Sequence, residues 1–496
     1  MPTLMLLPAG MQLEVPSGAR LQDTLFDRGV EFPCGGHGRC QGCRVKLLRG
    51  HLPVSVEEEK QFSAAELATG WRLACRHTVT ADLELELAQW EITVLTDHAS
   101  FAFTPGAGLG VAIDLGTTTL AMQLVDLATG NVLGVRTALN SQGRHGSDLM
   151  SRIEFALNGG RPELTRLIRS QLGEMIRQLP GVGDSAPRLN RIVIVGNTVM
   201  HHLFCGLNVA CLAEHPFQTD QPGRFRFLPS ALGWNLPETV TVEFLPCLGG
   251  FVGSDILAGI VATGLLERVE LTVLMDLGTN GEVVVGHRGK ILCASTAAGP
   301  AFEGARISLG MRACTGAISG VRLENGAPVC AVIGGGLARG ICGSGLVDAV
   351  AVGLGMGWIQ PNGRMTIQPA MPLTGGVSLQ PGDVRELQLA KGAIAAGLRL
   401  LARDLGVSPA DIRELHLAGA FGNYICQASA QRIGLLNLPS ERIVAAGNTA
   451  LRGAKMALFE EAAKWDALAR RIGHVALNED EAFQEIYAEE MRFPDA

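Results

Sequence analysis

Val111-Ala112-Ile113-Asp114-Leu115-Gly116-Thr117-Thr118-Thr119 returns later in the chain, altered, as Val273-Leu274-Met275-Asp276-Leu277-Gly278-Thr279-Asn280-Gly281-Glu282. In each copy a short apolar run ends in an aspartate, passes a Gly/Thr turn and re-enters an apolar run. The pattern predicts a strand, a tight turn and a returning strand. Glycine lets the backbone approach a ligand closely, and the hydroxyls and successive N–H groups suit phosphate oxygens. An aspartate at the strand end is placed to hold Mg²⁺ or a metal-bound water. One copy alone reads equally well as an ordinary hairpin; the repetition is what reports architecture. Two such turns placed face to face would hold a nucleoside triphosphate. Neither G-x-x-x-x-G-K-[ST] nor G-x-G-x-x-G, the common alternative phosphate cradles, occurs.

The bulk numbers narrow the class. At 496 residues, with 47% hydrophobic and 18% charged, the chain builds several cores and is not disordered. A net charge of −7, with 2 Tyr and 5 Trp, offers no phosphate-neutralising or base-stacking surface, so nucleic acid is not an expected partner. The longest apolar stretch, Ile256 to Leu266, falls far short of the ~20 residues that span a bilayer. The opening residues lack the basic segment of a secretory signal. Twelve cysteines without such a signal point to a reducing compartment, the cytoplasm.

Residues 1–90 form a unit of their own. Thr3–Leu7 and Gln12–Val15 suggest a hairpin and Leu21–Gly29 a short helix. Cys34, Cys40 and Cys43 then stand in C-x5-C-x2-C spacing, with Cys75 remote. Iron–sulfur clusters need four thiolates, and a close trio plus one distant cysteine is the ferredoxin arrangement. Glycines 35, 36, 38 and 42 allow a loop to wrap a cluster. Zinc is the other reading, but closed zinc sites pair two C-x2-C knuckles or add histidines. His77, beside Cys75, is expected at the surface. The segment resembles the [2Fe–2S] ferredoxin domains of the β-grasp fold. The other eight cysteines, Cys205 and Cys211 included, read as small core hydrophobes.

A short linker, 91–109, precedes a first half, 110–270. A buried strand at Arg191–Val195 runs there into Gly196-Asn197-Thr198 and the adjacent His201 and His202, which point to different helix faces and read as structural. Asp255, after a Gly-rich turn, is an active-site candidate or a helix N-cap. In the second half, 271–470, Glu303 follows a Gly-Pro turn, and Gly343-Ser344-Gly345 opens an apolar helix. Gly419-Ala420-Phe421-Gly422 follows a strand and suits a nucleoside that side chains would obstruct. The acidic segment 471–496 is expected as a solvated helix face.

The paired hairpins resemble the phosphate motifs of the superfamily containing acetate and sugar kinases, heat-shock chaperone ATPases and actin. Taken together, the four ferredoxin cysteines, AIDLGTTT, IVGNTVMHH, MDLGTNGE, AAGPAFEGA, ICGSG and LAGAFGNY resemble one family, the ATP-dependent reductive activators of corrinoid proteins. The resemblance implies a β-grasp ferredoxin domain of α+β type followed by a two-lobed, α/β, actin-like (ribonuclease H-like) ATPase with a duplicated core. It implies a [2Fe–2S] cluster on Cys34, Cys40, Cys43 and Cys75, and ATP with Mg²⁺. Asp114, Asp276, Asp255 and Glu303 would do the chemistry. Gly116, Thr117, Thr118, Thr119, Gly278, Thr279, Asn280, Gly281, Gly343, Ser344, Gly345 and Gly419–Gly422 would hold the nucleotide. The partners implied are a corrinoid protein, returned from Co(II) to Co(I), and an upstream low-potential electron donor, with room for a homodimer. Longer members carry a linker segment that is here about a dozen residues. Two other readings are an ATP-gated electron donor to a different low-potential enzyme and a small-molecule kinase with a redox-sensing ferredoxin domain.

Overall fold

The structure is a computed structural model that describes residues 1–7, 10–26, 28, 30, 32, 34–39, 41–87, 101–182, 188–278, 280–296, 298–304 and 306–495. Cys40, Thr279, residues 91–100 of the expected linker and the side chains of Ala420 and Asn423 lie outside that description.

Both Asp-containing stretches form the strands and hairpins that their patterns predict. Leu109–Leu115 pairs antiparallel with Thr119–Asp126, and Thr272–Leu277 pairs antiparallel with Gly281–His287. Each hairpin founds a six-stranded sheet, and five strands of each share one topology, the sixth being added at opposite edges. In the first, the order is Val132–Leu139, Thr119–Asp126, Leu109–Leu115, Leu189–Val195, Thr241–Phe244, Phe225–Phe227. The second, taken from its opposite edge, runs Ile472–His474, Lys290–Thr296, Gly281–His287, Thr272–Leu277, Glu414–Ala418, Ile443–Gly447. Three antiparallel strands are thus extended by two parallel ones in both halves, the duplicated core of an actin-like fold. Leu109–Leu115 is buried almost throughout, as a strand covered on both faces must be.

A core shared by the halves explains how they face each other. Helices Ser254–Ala262 and Thr449–Ala457 pack together between the sheets, joining Val193 and Val195 of the first to Leu274 and Val284 of the second. Gly453 is required there, since a Cβ would lie 2.3 Å from the Ala258 carbonyl. Fully burying each Leu or Ile of this layer contributes roughly 1.5–3 kcal/mol, so the floor between the lobes is firm.

The N-terminal unit is a five-stranded sheet in which Thr3–Leu7 runs parallel to Leu83–Leu87. Its helix spans Leu21–Phe26, and of the expected continuation to Gly29, Asp27 and Gly29 lie outside the described residues. His77 is not at the surface: it is buried and its Nε2 lies 2.8 Å from Glu58 Oε1. Glu58, itself wholly buried, also accepts from the backbone N–H of Leu73 at 2.6 Å and of Ser55 at 2.7 Å. Burial pushes its carboxyl up, but hydrogen bonds from His77, Ser55 and Leu73 outweigh that and hold it below the usual range. This lock ties helix Val56–Gln61 to the backbone just before Cys75.

At the far end, Ile472–His474 is an edge strand, and the acids after it are engaged. Asp480 pairs with Arg403, and Glu489 and Glu490 with Arg399. Phe493 is buried and its N–H donates to the Pro361 carbonyl. Helix Phe483–Glu490 presents a solvated outer face but is clamped to helix Pro381–Asp404.

Replacing Glu58 by Ala leaves the His77 ring and the Leu73 N–H without their buried acceptor. A loss of about 3 kcal/mol or more is expected. Hydrogen exchange should show it as faster exchange in residues 1–87, with the two large sheets unaffected.

Candidate active site

Between the lobes lies a cleft lined by Asp114, Thr117, Asp255, Asp276, Glu282 and Glu303, among others. Strand registry places the acids. Asp114 ends one central strand opposite Val195, and Asp276 ends the other opposite Ala418 and Glu282. Gly419 permits the second arrangement: its φ is +79°, and a Cβ there would stand 2.6 Å from Asp276 Oδ1. Each turn is closed by its glycine, Gly116 N–H donating to Thr119 O and Gly278 N–H to Asn280 O, both at 3.1 Å, the second turn being one residue shorter.

Among the described residues, five helices begin at this cleft, at Asn197, Asp255, Gly343, Gly419 and Asn448. Their dipoles favour anions. Two of these starts do a second job. Asn197 Oδ1 caps Met200 N while its Nδ2 donates to Thr117 Oγ1 at 2.8 Å. Asn448 Oδ1 caps Leu451 N while its Nδ2 donates to Asp114 Oδ2 at 2.9 Å.

The floor is strongly acidic. Burial raises Asp114 to about 6, with the Asn448 hydrogen bond opposing. Burial and then the Asp114 charge raise Asp276 to about 7; burial and then Asp276 raise Asp255 to about 8. Glu282 is pushed well up by burial and by Asp255 and Asp276. Each of these oxygens is disfavoured as a bare charge, which a hard divalent cation would relieve, but among the described residues no three of them close on one ion position. Opposite it, Phe302 and Phe421 stack with ring centroids 4.5 Å apart on the cleft wall.

The cysteine loop meets the requirements of a cluster as far as it is described. The Cys75 thiol is held low chiefly by a hydrogen bond with Cys43, with a further one from the Gly38 backbone, and Cys34 is close enough to repel it. Gly35, Gly36 and Gly38 all have positive φ. Among the described residues no three His, Cys, Asp or Glu side chains close on a single ion position, and Cys40 is not among them. The donor set, Cys75 with Cys43 and Cys34 close by and the Gly38 backbone bonded to the Cys75 sulfur, fits an iron–sulfur group.

Three family profiles match successive parts of the chain: "2Fe-2S iron-sulfur cluster binding domain" over residues 5–80, "RACo middle region" over 109–268, and "C-terminal domain of RACo the ASKHA domain" over 270–496. The corrinoid activation enzyme RamQ of Eubacterium limosum is 36% identical over 425 residues, covering 78% of this chain and 70% of that protein. The chain belongs to the family of reductive activators of corrinoid proteins. A reductase of Methanosarcina barkeri, named for a Co(II) methylated amine-specific corrinoid protein, is 28% identical over 77% of each chain. Among solved structures, a reductive activator for a corrinoid, iron-sulfur protein superposes with TM-score 0.69 at 25% identity, over 100% of this chain and 98% of that one.

Of the residues singled out from sequence, the cleft gathers Asp114, Asp255, Asp276, Glu303, Gly116, Thr117, Thr118, Thr119, Gly278, Asn280, Gly343, Ser344, Gly419 and Phe421. Gly281, Gly345 and Gly422 are not among its lining residues. They serve packing instead: a Cβ would lie 2.8 Å from the Ile394 side chain at Gly281, 2.0 Å from the Ile318 carbonyl at Gly345 and 3.3 Å from Leu417 at Gly422. His201 and His202 are fully buried and bonded to the Gly223 carbonyl and to Thr198 O and Thr219 Oγ1, a structural pair.

Sequence reasoning missed Glu282, Asn197, Asn448 and Arg312, which also line the cleft. A signal existed for the asparagines, since Gly-Asn-Thr occurs after a strand in both halves, at 196–198 and 447–449. Replacing Asn448 by Ala is expected to cost about 1 kcal/mol in capping and to remove the donor that lowers Asp114. Thermal unfolding should show the first effect, and an upward move of the acid limb of the ATPase pH profile the second.

Proposed function

We propose that this chain couples ATP to the one-electron reduction of an inactive Co(II) corrinoid protein to Co(I). Electrons enter from a low-potential donor through a [2Fe–2S] group on Cys34, Cys40, Cys43 and Cys75. One observation carries the reading. The ferredoxin unit is seated beside the nucleotide cleft, with Arg339 donating to the Leu87 carbonyl and pairing with Glu86 at 2.8 Å. Arg44, adjacent to Cys43, donates in turn to the Arg339 carbonyl. The named relatives act on corrinoid proteins, which supports that substrate class.

The cluster would supply single electrons at low potential. Each ~59 mV uphill costs tenfold, so a step of about 120 mV succeeds roughly once in a hundred without help. Closing of two lobes on a nucleotide provides that help only if the closed and open states bind the partner differently. In the cleft, Asp114 and Asp276 would hold Mg²⁺, and Thr117–Thr119 with Gly278–Asn280 the phosphates. Asp255, kept protonated to about pH 8 until a cation offsets its neighbours, and Glu303 would position and deprotonate the attacking water. Gly419, Phe421 and Phe302 would receive the nucleoside, and Gly343 and Ser344 a phosphate oxygen. None of the described cysteines is in a disulfide, which fits the reducing cytoplasm.

The test is anaerobic reduction of a Co(II) corrinoid protein followed by its absorbance, with a chemical reductant feeding the ferredoxin unit. Co(I) should form only with ATP and all four cysteines. Asp276→Ala should stop hydrolysis and leave the cluster spectrum unchanged. Equal Co(I) yield without nucleotide overturns the reading.

The raised acids also fix a pH dependence. Unfolded aspartates ionise near 4, whereas Asp114, Asp276 and Asp255 keep their protons to about 6, 7 and 8. Between pH 4 and 8 the folded state therefore binds more protons, and stability falls as pH rises. In EDTA the melting temperature should drop from pH 5.5 to 8, and added Mg²⁺ should restore it more at pH 8 than at pH 5.5.

A further inference from the structure

Behind the first phosphate turn lies a segment that none of the site residues above belongs to. Asn140 Nδ2 donates to the Gly116 carbonyl and Asn140 N–H to the Thr118 carbonyl, both at 2.9 Å. Arg152, 1% exposed, donates through Nη2 to the carbonyl between them, on Thr117. Three consecutive carbonyls of the turn are therefore gripped from one side. Peptide units are planar and trans, so each held carbonyl turns the following N–H, of Thr117, Thr118 and Thr119, away from the grip. A phosphate that rotates any of those N–H groups must rotate the carbonyl in the grip.

The other end of the same segment touches the ferredoxin unit. Arg152 Nε donates to the Gly146 carbonyl at 2.9 Å, fixing the end of the loop Asn140–Gly146. Gln22, 3% exposed, donates through Nε2 to the Arg144 carbonyl at 2.9 Å. Its side chain occupies the place of a side chain at Gly36, 2.4 Å from where a Cβ would be. The His145 carbonyl stands 2.9 Å from the corresponding point at Gly35, and the Phe26 ring 3.2 Å from that at Gly143. Gly35 and Gly36 directly follow the ligand candidate Cys34. A small cavity on the path is lined by Phe26 and Phe32 of the ferredoxin unit, Thr118 and Asn140 of the first lobe, and Arg312 of the second. No side chain would fit at Gly35 or Gly36 without a shift, so the cysteine-loop backbone lies directly against the His145 carbonyl and the Gln22 side chain, and packed interiors transmit displacement.

We propose that the loop Asn140–Gly146 relays occupation of the phosphate turn to the cysteine loop, with Arg152 and Gln22 as positioning residues at its two ends. The inference rests on the function proposed above and deepens it. Cluster potentials respond to hydrogen bonds at sulfur and to solvent exposure. Displacement of the Gly35–Gly36 backbone therefore changes the midpoint of the group held there.

The experiment is a spectroelectrochemical titration of the full-length holoprotein, with and without saturating Mg²⁺ and a non-hydrolysable ATP analogue. The unaltered protein should shift by at least threefold in the reduction equilibrium, roughly 28 mV for a one-electron couple. Gln22→Leu should abolish the shift while ATP hydrolysis and the cluster spectrum stay unchanged. Arg152→Met should abolish it at saturating nucleotide, and Arg152→Lys, which keeps one donor, should restore part of it. No shift in the unaltered protein, while ATP-dependent Co(II) reduction proceeds, overturns the relay. So does a shift that survives in both Gln22→Leu and Arg152→Met. Absence of Co(II) reduction with the shift present overturns the proposed function and leaves the relay standing.

Discussion

Asp114, Asp255, Asp276 and Glu282 repel one another across a cleft floor whose burial already disfavours charge. Burial is the larger cause and the neighbouring charge the second, so the acids keep their protons well above the usual carboxylate range. Only a backbone that cannot move away tolerates such crowding. The parallel pairing of each Asp-bearing strand, with Val195 and with Ala418, supplies that rigidity, and the helix layer between the sheets backs it. Helix starts around the cleft turn positive ends toward the same space. The architecture thus holds an electrostatic demand that the proposed cation and polyphosphate together would satisfy.

How much of this was legible follows from what a sequence encodes locally. The hairpins were, because strand period, aspartate and turn glycines are all carried within about ten residues. Duplication then gave the two-lobed fold, and cysteine spacing the ferredoxin unit. The sites those motifs mark, from Asp114 to Phe421, do meet in one cleft.

What stayed hidden depends on partners distant in the chain. His77 looks like a surface residue beside Cys75 until Glu58, nineteen positions earlier, is seen buried against it. Glycines 281, 345 and 422 carry the same local signature as the ligand-facing ones, yet Ile394, the Ile318 carbonyl and Leu417 decide their use. The C-terminal acids have a solvated pattern, but Arg399 and Arg403 of a helix some 80 to 90 residues away claim several of them. Asn448 reaches Asp114 across 334 positions, a pairing that no periodicity announces.

Duplication also shows where the halves part company, and the difference falls where coupling is needed. In both, a three-stranded antiparallel unit leads out of the phosphate turn. After its third strand the first half runs into Asn140 and the loop that meets Phe26 and Gln22, holding the turn from behind. After its third strand the second half runs instead into Pro300–Glu303, which enters the cleft and stacks Phe302 on Phe421. One half therefore faces the ferredoxin unit with the back of its Gly116–Thr119 turn, and the other commits the same stretch to the cleft wall. A symmetric pair of lobes could close on ATP equally well, but it would have no preferred direction in which to send the consequence. In the proposed relay, divergence of these two connections would give closure a direction, toward the cysteine loop.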